Sequence, residues 1–117
     1  MTLAARSIFV FGLYLVLLGA ALMIVPNVVL APFGFPATNE VWIRLAGSLV
    51  VIIGWFFLVA ARHENGPFFR ATLLARPFLF LSLVAFVLFG LAPPQLILFG
   101  VIDLLGALWT FLALRRG

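Results

Sequence analysis

The residue with the clearest capacity for chemistry is Asp103. It lies near the middle of residues 95–114, QLILFGVIDLLGALWTFLAL, an apolar stretch long enough to cross a bilayer. A carboxylate in hydrocarbon is costly unless a cation, a hydrogen-bond donor, water or a proton accompanies it. Two roles are therefore open: a structural ion pair or hydrogen bond that fixes helix register, or a functional group that binds a ligand, a cation or a proton.

Polar side chains in the other apolar stretches are the candidate partners of Asp103. Arg44 lies roughly 11 Å from the centre of its helix toward one membrane face, and Arg76 roughly 8 Å toward the other. Because side chains lean toward the N-terminus of their own helix, this placement favours Arg44 over Arg76 as the partner. Snorkelling to the membrane interface is the alternative for both arginines. The predicted intramembrane polar cluster, a candidate binding or structural site, is Asp103, Arg44, Tyr14, Ser48, Ser82 and Arg76.

The sequence contains no motif that assigns catalysis, a metal or a cofactor. HExxH, GxSxG and phosphate-loop patterns are missing. There is no cysteine, and the single histidine, His63, stands beside Glu64 in a polar turn. We therefore expect no catalytic residue, no metal and no cofactor, and no histidine inside the membrane to ligate haem.

The composition places this chemistry in a membrane. Of the 117 residues, 67% are hydrophobic and only 9% are charged, whereas a soluble domain has about 25% charged residues. Apolar runs predict four transmembrane helices, at residues 7–25, 41–61, 67–92 and 95–114. Residues 26–40 contain three prolines and are predicted to form a loop without regular helix. The predicted fold is a single all-α domain, residues 1–117, that forms an up-down-up-down four-helix transmembrane bundle.

The arginines predict the orientation of this bundle. An even number of helices brings both termini and the middle turn to one side, which then holds Arg6, Arg62, Arg70, Arg115 and Arg116, with Arg76 nearby. The positive-inside rule places that side in the cytoplasm. We therefore predict a multi-pass protein of the bacterial cytoplasmic (inner) membrane with both termini cytoplasmic. The net charge of +4 then sets orientation, and no nucleic-acid partner is expected.

Small residues mark the faces on which the helices are expected to pack. Several recur seven residues apart, which is close to two helical turns, and small faces let helices approach closely in lipid. Packing within one chain and a homodimer seam both fit this pattern. The predicted packing residues are Gly12, Gly19, Gly47, Gly54, Gly100, Gly106 and Ala107.

Several segments resemble small bacterial four-helix membrane proteins that are broadly DoxX-like. They are PNVVLAPFGFP, EVWIRLAGSLVVIIGW, the following AAR, and VIDLLGALWT. The positions that look shared are Arg44, Gly47, Gly54, Asp103, Gly106, Ala107 and Thr110. The resemblance implies a four-helix membrane fold. The broad group is linked to redox or quinol-oxidase systems, but the narrower relatives imply no activity for this chain.

Three classes of function remain open. A non-enzymatic accessory or scaffold subunit of a membrane complex ranks first, because the chain has no soluble domain and no catalytic motif. A carrier, or a lipid- or quinone-binding protein with its site at Asp103 and Arg44, ranks second. A membrane-embedded enzyme that uses Asp103 as acid or base ranks last. The expected partners are membrane lipids, with a second copy of the chain or a larger membrane complex as further alternatives.

Overall fold

A computed structural model describes residues 1–116, which are mainly helical and contain no strand. The elements are α1 (Leu3–Ile24), α2 (Pro26–Leu30), a 3-10 turn (Ala31–Phe33), α3 (Val41–Arg62), α4 (Gly66–Leu88), a second 3-10 turn (Pro94–Leu96) and α5 (Ile97–Arg116). Helices α1, α3 and α4, and α5 with its preceding turn, are each long and apolar enough to cross a membrane. These helices confirm the prediction of an all-α protein with four segments that can cross a membrane.

Helix α1 begins four residues earlier than the sequence predicts. The Thr2 hydroxyl accepts a hydrogen bond from the Ala5 backbone N–H at 3.1 Å, the arrangement of an N-cap residue. This bond satisfies one of the amides that a helix start leaves without a partner. The earlier start places Ser7 inside the helix, where it becomes part of the buried core.

The turn between α3 and α4 is closed by hydrogen bonds at both of its ends. The backbone N–H groups of Glu64 and Asn65 donate to the carbonyls of Ala61 and Ala60, with Glu64 in the left-handed region at φ 51°. This is the Schellman arrangement that ends helices. The Asn65 side chain then caps α4 by accepting from the Phe68 N–H at 3.1 Å.

Helix α4 ends at Leu88 rather than at residue 92 as predicted. Gly90 has a positive φ of 73°, and the Leu91 and Gly90 amides donate to the Phe86 and Val87 carbonyls. This second Schellman arrangement stops the helix before the two prolines do. Helix α4 continues through Pro77, which lies midway between its observed ends.

The prediction that residues 26–40 contain no regular helix is wrong for their first part. Pro26 occupies the first turn of α2, where its missing N–H costs nothing. The Asn27 side chain then bridges the segment, because it accepts from the Thr38 N–H at 2.9 Å and donates to the Thr38 carbonyl at 3.2 Å. Proline therefore starts a short helix here instead of preventing one.

The chain divides into two compact units. We call Phe9–Val59 the central unit, and Met1–Ile8 together with the chain from Ala60 onward the terminal unit. In the central unit, α1 and α3 pack through glycines. A Cβ added at Gly47 would lie 2.7 Å from the Gly19 oxygen and from the Met23 nitrogen, and one added at Gly54 would lie 2.9 Å from the Gly12 oxygen. Gly12, Gly19, Gly47 and Gly54, which were predicted as packing residues, thus lie in the contact between α1 and α3 of the same chain.

In the terminal unit, α4 packs against α5. Gly100 lies against Phe80 and Leu83, whose side-chain atoms would be 3.0 and 3.2 Å from an added Cβ. The buried face of α5 combines small and polar residues: Gly100, Asp103, Gly106, Ala107, Thr110 and Ala113. The buried residues of α4 include two polar ones, Thr72 and Arg76. The contact between these helices is therefore the place where polar groups meet inside an apolar unit.

Candidate functional site: a buried polar cluster on α4 and α5

Within residues 1–116, five polar or charged side chains are buried, and all belong to the terminal unit. We call them the buried polar cluster: Ser7, Thr72, Arg76, Asp103 and Thr110. Thr110 is fully buried, and Arg76 retains 4% of its exposure. Polar groups in the interior of an apolar helix bundle need internal partners, because lipid supplies none. The positions of those partners show what the cluster can do.

A directed chain of hydrogen bonds runs through three of these residues. The Ser7 hydroxyl donates to the Ala4 carbonyl at 2.7 Å, which uses its only proton. Ser7 must then accept from the Thr110 hydroxyl, whose oxygen lies 2.8 Å away. Thr110 in turn accepts from Nη1 of Arg76 at 3.4 Å. Both hydroxyl protons are thus committed inside the protein.

Arg76 is the cation whose charge acts on Asp103. The two residues lie on α4 and α5, and each is an electrostatic influence on the other. The Arg76 guanidinium extends toward Thr110, seven residues beyond Asp103 and so about two turns along α5. This direction agrees with the lean of side chains toward their own helix N-terminus. The hydrogen bond of Arg76 to Thr110 therefore lies about two helical turns from Asp103 along α5.

The predicted pairing of Arg44 with Asp103 stays a prediction, because the two residues belong to different units. Arg44 belongs to the central unit, is exposed, and donates through Nη1 to the carbonyls of Met23 and Ile24. The depth predicted for Arg76 along its helix does change. With α4 ending at Leu88, Arg76 stands beside the helix midpoint at Pro77 rather than roughly 8 Å from it.

The remaining predicted polar residues lie outside the buried polar cluster. Tyr14 and Ser48 are half-buried in the central unit, and the Tyr14 ring lies 5.4 Å from that of Phe11. Ser82 is half-buried on α4 and donates to the Phe78 carbonyl at 2.9 Å. A bond to its own helix satisfies the Ser82 hydroxyl without linking two elements.

Sequence reasoning missed Ser7 and Thr72 and gave Thr110 no hydrogen-bonding role. Thr72 stands one turn before Arg76, so the spacing placed it on the same helix face, and its hydroxyl donates to the Phe69 carbonyl at 2.7 Å. Thr110 stands seven residues after Asp103, and this spacing also marked a shared face. Ser7 carried no usable signal, because the predicted helix began only at that residue.

An open apolar groove lies beside the buried polar cluster. It has a volume of about 250 Å³ and is lined by residues of α4 and α5: Leu73, Pro77, Leu104, Ala107, Leu108 and Phe111. Pro77 follows Arg76 in the chain, and Leu104 follows Asp103. Because Pro77 has no N–H, the Leu73 carbonyl at the groove lacks its usual helical donor.

The chemistry available to the buried polar cluster is that of a charge pair with attached hydroxyls. None of its three hydroxyls is next to a histidine or a cysteine that would activate it as a nucleophile, since His63 is exposed and the chain has no cysteine. No group of three potential metal ligands occurs within residues 1–116. The arrangement is suited to holding helices together, or to offering a carboxylate to a ligand.

No protein-family model, curated protein or solved structure matches this chain significantly. The resemblance to DoxX-like proteins therefore stays a prediction.

Proposed function

We propose that this chain is a non-enzymatic accessory or scaffold subunit of a complex in the bacterial cytoplasmic membrane. Its four long apolar helices carry many exposed large hydrophobic side chains, among them Leu74, Leu88 and Phe78. Such surfaces suit contact with acyl chains and with helices of neighbouring proteins. In this role the terminal unit supplies a fixed helical surface, and the buried polar cluster stabilises it.

The observation that supports this role is that the hydroxyl groups of the buried polar cluster form their hydrogen bonds inside the protein. The hydroxyls of Ser7 and Thr110 form a directed chain from Arg76 to the Ala4 carbonyl. This chain links α1, α4 and α5 within the terminal unit. Hydrogen bonds between membrane helices act as specific connections, because the alternative partner is hydrocarbon.

The orientation of the subunit is part of the proposal. The exposed arginines at the ends of α3 and α5, Arg62 and Arg116, lie on the side that also holds the N-terminus in an up-down-up-down arrangement. The positive-inside rule then places both termini in the cytoplasm. The resemblance to DoxX-like proteins agrees with such a four-helix arrangement.

The experiment that tests the scaffold role is native mass spectrometry after gentle detergent extraction from bacterial membranes. The proposal predicts that the chain leaves the membrane in a defined assembly, either with other proteins or as a homo-oligomer. A harsher detergent should dissociate it into single chains that keep their helical content. A population of single chains in every gentle detergent, each with one small molecule bound, would contradict the scaffold role.

A second function, that of a carrier or a lipid- or quinone-binding protein, is favoured by one specific observation. The Asp103 carboxylate keeps only 9% of its exposure, yet it accepts no hydrogen bond from any residue within the described range 1–116. A ligand with an O–H or N–H donor would satisfy it. An apolar tail on that ligand would fit the groove that adjoins Leu104 and Pro77.

The two functions predict different outcomes for Asp103→Asn. The carrier role predicts that the variant folds with unchanged stability and loses a small molecule that copurifies with the parent protein. The scaffold role predicts lower stability and no change in bound small molecules. The substituted amide would retain the shape of the side chain, so a difference between parent and variant reports on the charge.

A further inference from the structure

Arg44 links the ends of two helices in the central unit. Its Nη1 donates to the carbonyls of Met23 and Ile24, the last residues of α1. The final four carbonyls of a helix have no partner within it, so Arg44 caps α1 from the first turn of α3. Because the guanidinium is planar and rigid, this capping also fixes the direction of its other donors.

Those other donors remain available. A guanidinium carries five N–H groups, of which Nη1 supplies two and Nε and Nη2 the remaining three. Within residues 1–116, Nε and Nη2 of Arg44 donate to no residue, and the side chain is exposed. Glu40 stands one turn earlier, but its side chain forms no hydrogen bond with Arg44 in the described part of the chain. A fixed, exposed fork of donors is the arrangement that binds carboxylate or phosphate.

Exposed apolar side chains also occur on the segments of the central unit that Arg44 joins. Trp42 is 69% exposed, Ile24 is 69% exposed, and Val28 on α2 is 70% exposed. Two hydrogen bonds between Asn27 and Thr38 hold the ends of the intervening segment together. Tryptophan is enriched where hydrocarbon meets the lipid headgroups. Arg44, one turn from the start of α3, lies at the depth of those headgroups if α3 spans the membrane.

We propose that Arg44 binds the phosphate of a membrane phospholipid, while the apolar side chains of Ile24 and Val28 contact its glycerol and upper acyl region. The carbonyl caps hold the guanidinium in place, and Nε and Nη2 donate to the phosphate oxygens. The positive charge of Arg44 favours binding of the phosphate group. The exposed apolar side chains favour a lipid over a free anion. This site is independent of the buried polar cluster and of the proposed scaffold role.

The proposal can be tested by native mass spectrometry of the full chain in detergent with three probes. The probes are phosphatidylglycerol, a diacylglycerol with the same acyl chains, and inorganic phosphate. Phosphatidylglycerol should bind the parent protein more tightly than diacylglycerol, and millimolar inorganic phosphate should not displace it. Arg44→Gln should weaken phosphatidylglycerol binding about tenfold through loss of charge-assisted hydrogen bonds, with diacylglycerol binding unchanged.

The matched control is Arg62→Gln, which removes an exposed arginine from the other end of α3 and should leave binding as in the parent. Because Arg44→Gln also removes the cap of α1, Arg44→Lys serves as a second variant. Lysine keeps the charge but not the planar fork, so its binding should fall between the parent and Arg44→Gln. Equal binding of phosphatidylglycerol and diacylglycerol, displacement by inorganic phosphate, or equal losses in Arg44→Gln and Arg62→Gln would each overturn the proposal.

Discussion

The Thr110 hydroxyl donates its proton to Ser7 across 2.8 Å, because the Ser7 proton is already committed to the Ala4 carbonyl. This direction leaves the Thr110 oxygen free to accept from Arg76. A threonine on α5 therefore connects a serine near the start of α1 with an arginine near the middle of α4. The three helices of the terminal unit meet at one fully buried side chain.

Replacing Thr110 should weaken the terminal unit. Thr110→Val keeps the shape of the side chain but removes the hydroxyl, so Arg76 and Ser7 both lose a hydrogen bond. We expect a loss of about 1–2 kcal/mol in the free energy of unfolding, since interhelical hydrogen bonds in membranes contribute ~0.6 and at most ~1.7 kcal/mol each. Unfolding by increasing denaturing detergent measures this loss.

Two further variants make the Thr110 measurement specific. Thr110→Ser keeps the hydroxyl and should lose less stability than Thr110→Val. Ser82→Ala removes a hydroxyl that bonds only to its own helix, so it should stay within about 0.5 kcal/mol of the parent. If Thr110→Val and Ser82→Ala unfold at the same concentration of denaturing detergent, the hydrogen-bond chain makes no measurable contribution to stability.

The glycine contact in the central unit predicts a large difference between two identical substitutions. Gly47→Ala places a Cβ 2.7 Å from backbone atoms of Gly19 and Met23, so the helices must separate, at a cost of about 1–3 kcal/mol. Gly66→Ala places a Cβ 3.3 Å from the flexible end of Arg70, which can move. Thermal unfolding should therefore be lowered by Gly47→Ala and nearly unchanged by Gly66→Ala. Equal midpoints would mean that α1 and α3 do not pack this closely.

Much of the fold was predictable, because it depends on long runs of apolar residues. The helix ends were not predictable, since each depends on a single local contact. Apolar length alone gave four spanning helices. The start of α1 depends on Thr2, and the end of α4 depends on Gly90 adopting a positive φ. The early start moved Ser7 from the first position of the helix into its interior, and the early end moved the midpoint of α4 to Pro77 beside Arg76. Differences of four residues at helix ends thus changed the depth assigned to Arg76 and left Ser7 out of the predicted cluster.

The pH dependence of one surface contact follows from the bonds of Glu64. Its carboxylate oxygens accept from the Thr2 N–H and the Thr2 hydroxyl, each at 2.8 Å. These bonds, first from the backbone and then from the side chain, lower the pKa of Glu64 from its usual value of 4.5. Bonds to the charged form stabilise the folded state above the unfolded-state pKa, and this contribution disappears as the pH falls through the lower, folded-state pKa.

An NMR titration of the Glu64 carboxyl group tests this contact. The pKa should lie below 4.5 in the parent and should move upward in Thr2→Val, which removes the hydroxyl bond but keeps the backbone bond. In the parent, acid should remove the protection of the Thr2 amide against hydrogen exchange. In Glu64→Gln, this effect of pH should be absent. A Glu64 pKa that does not respond to Thr2→Val would show that the hydroxyl bond is not formed.

The absence of cysteine allows membrane topology to be measured with single introduced thiols. Asn39, Leu91 and His63 are exposed positions outside the four long helices. With both termini in the cytoplasm, Asn39→Cys and Leu91→Cys should react with an impermeant maleimide in intact cells. His63→Cys should react only after permeabilisation. The opposite labelling pattern would show that the termini lie outside the cytoplasm. Labelling of Asn39→Cys and His63→Cys from the same side would show that α3 does not cross the membrane.

The most direct test of the structural role of the buried polar cluster is a double-mutant cycle at Asp103 and Arg76. Unfolding is measured for the parent, Asp103→Asn, Arg76→Met and the double variant. Each single variant leaves one buried charge without its opposite, so we predict that Asp103→Asn is less stable than the parent. The cycle should then give an interaction energy of about 0.5–3 kcal/mol, which the double variant recovers. Asp103→Asn with the stability of the parent, and no interaction energy in the cycle, would contradict the structural role.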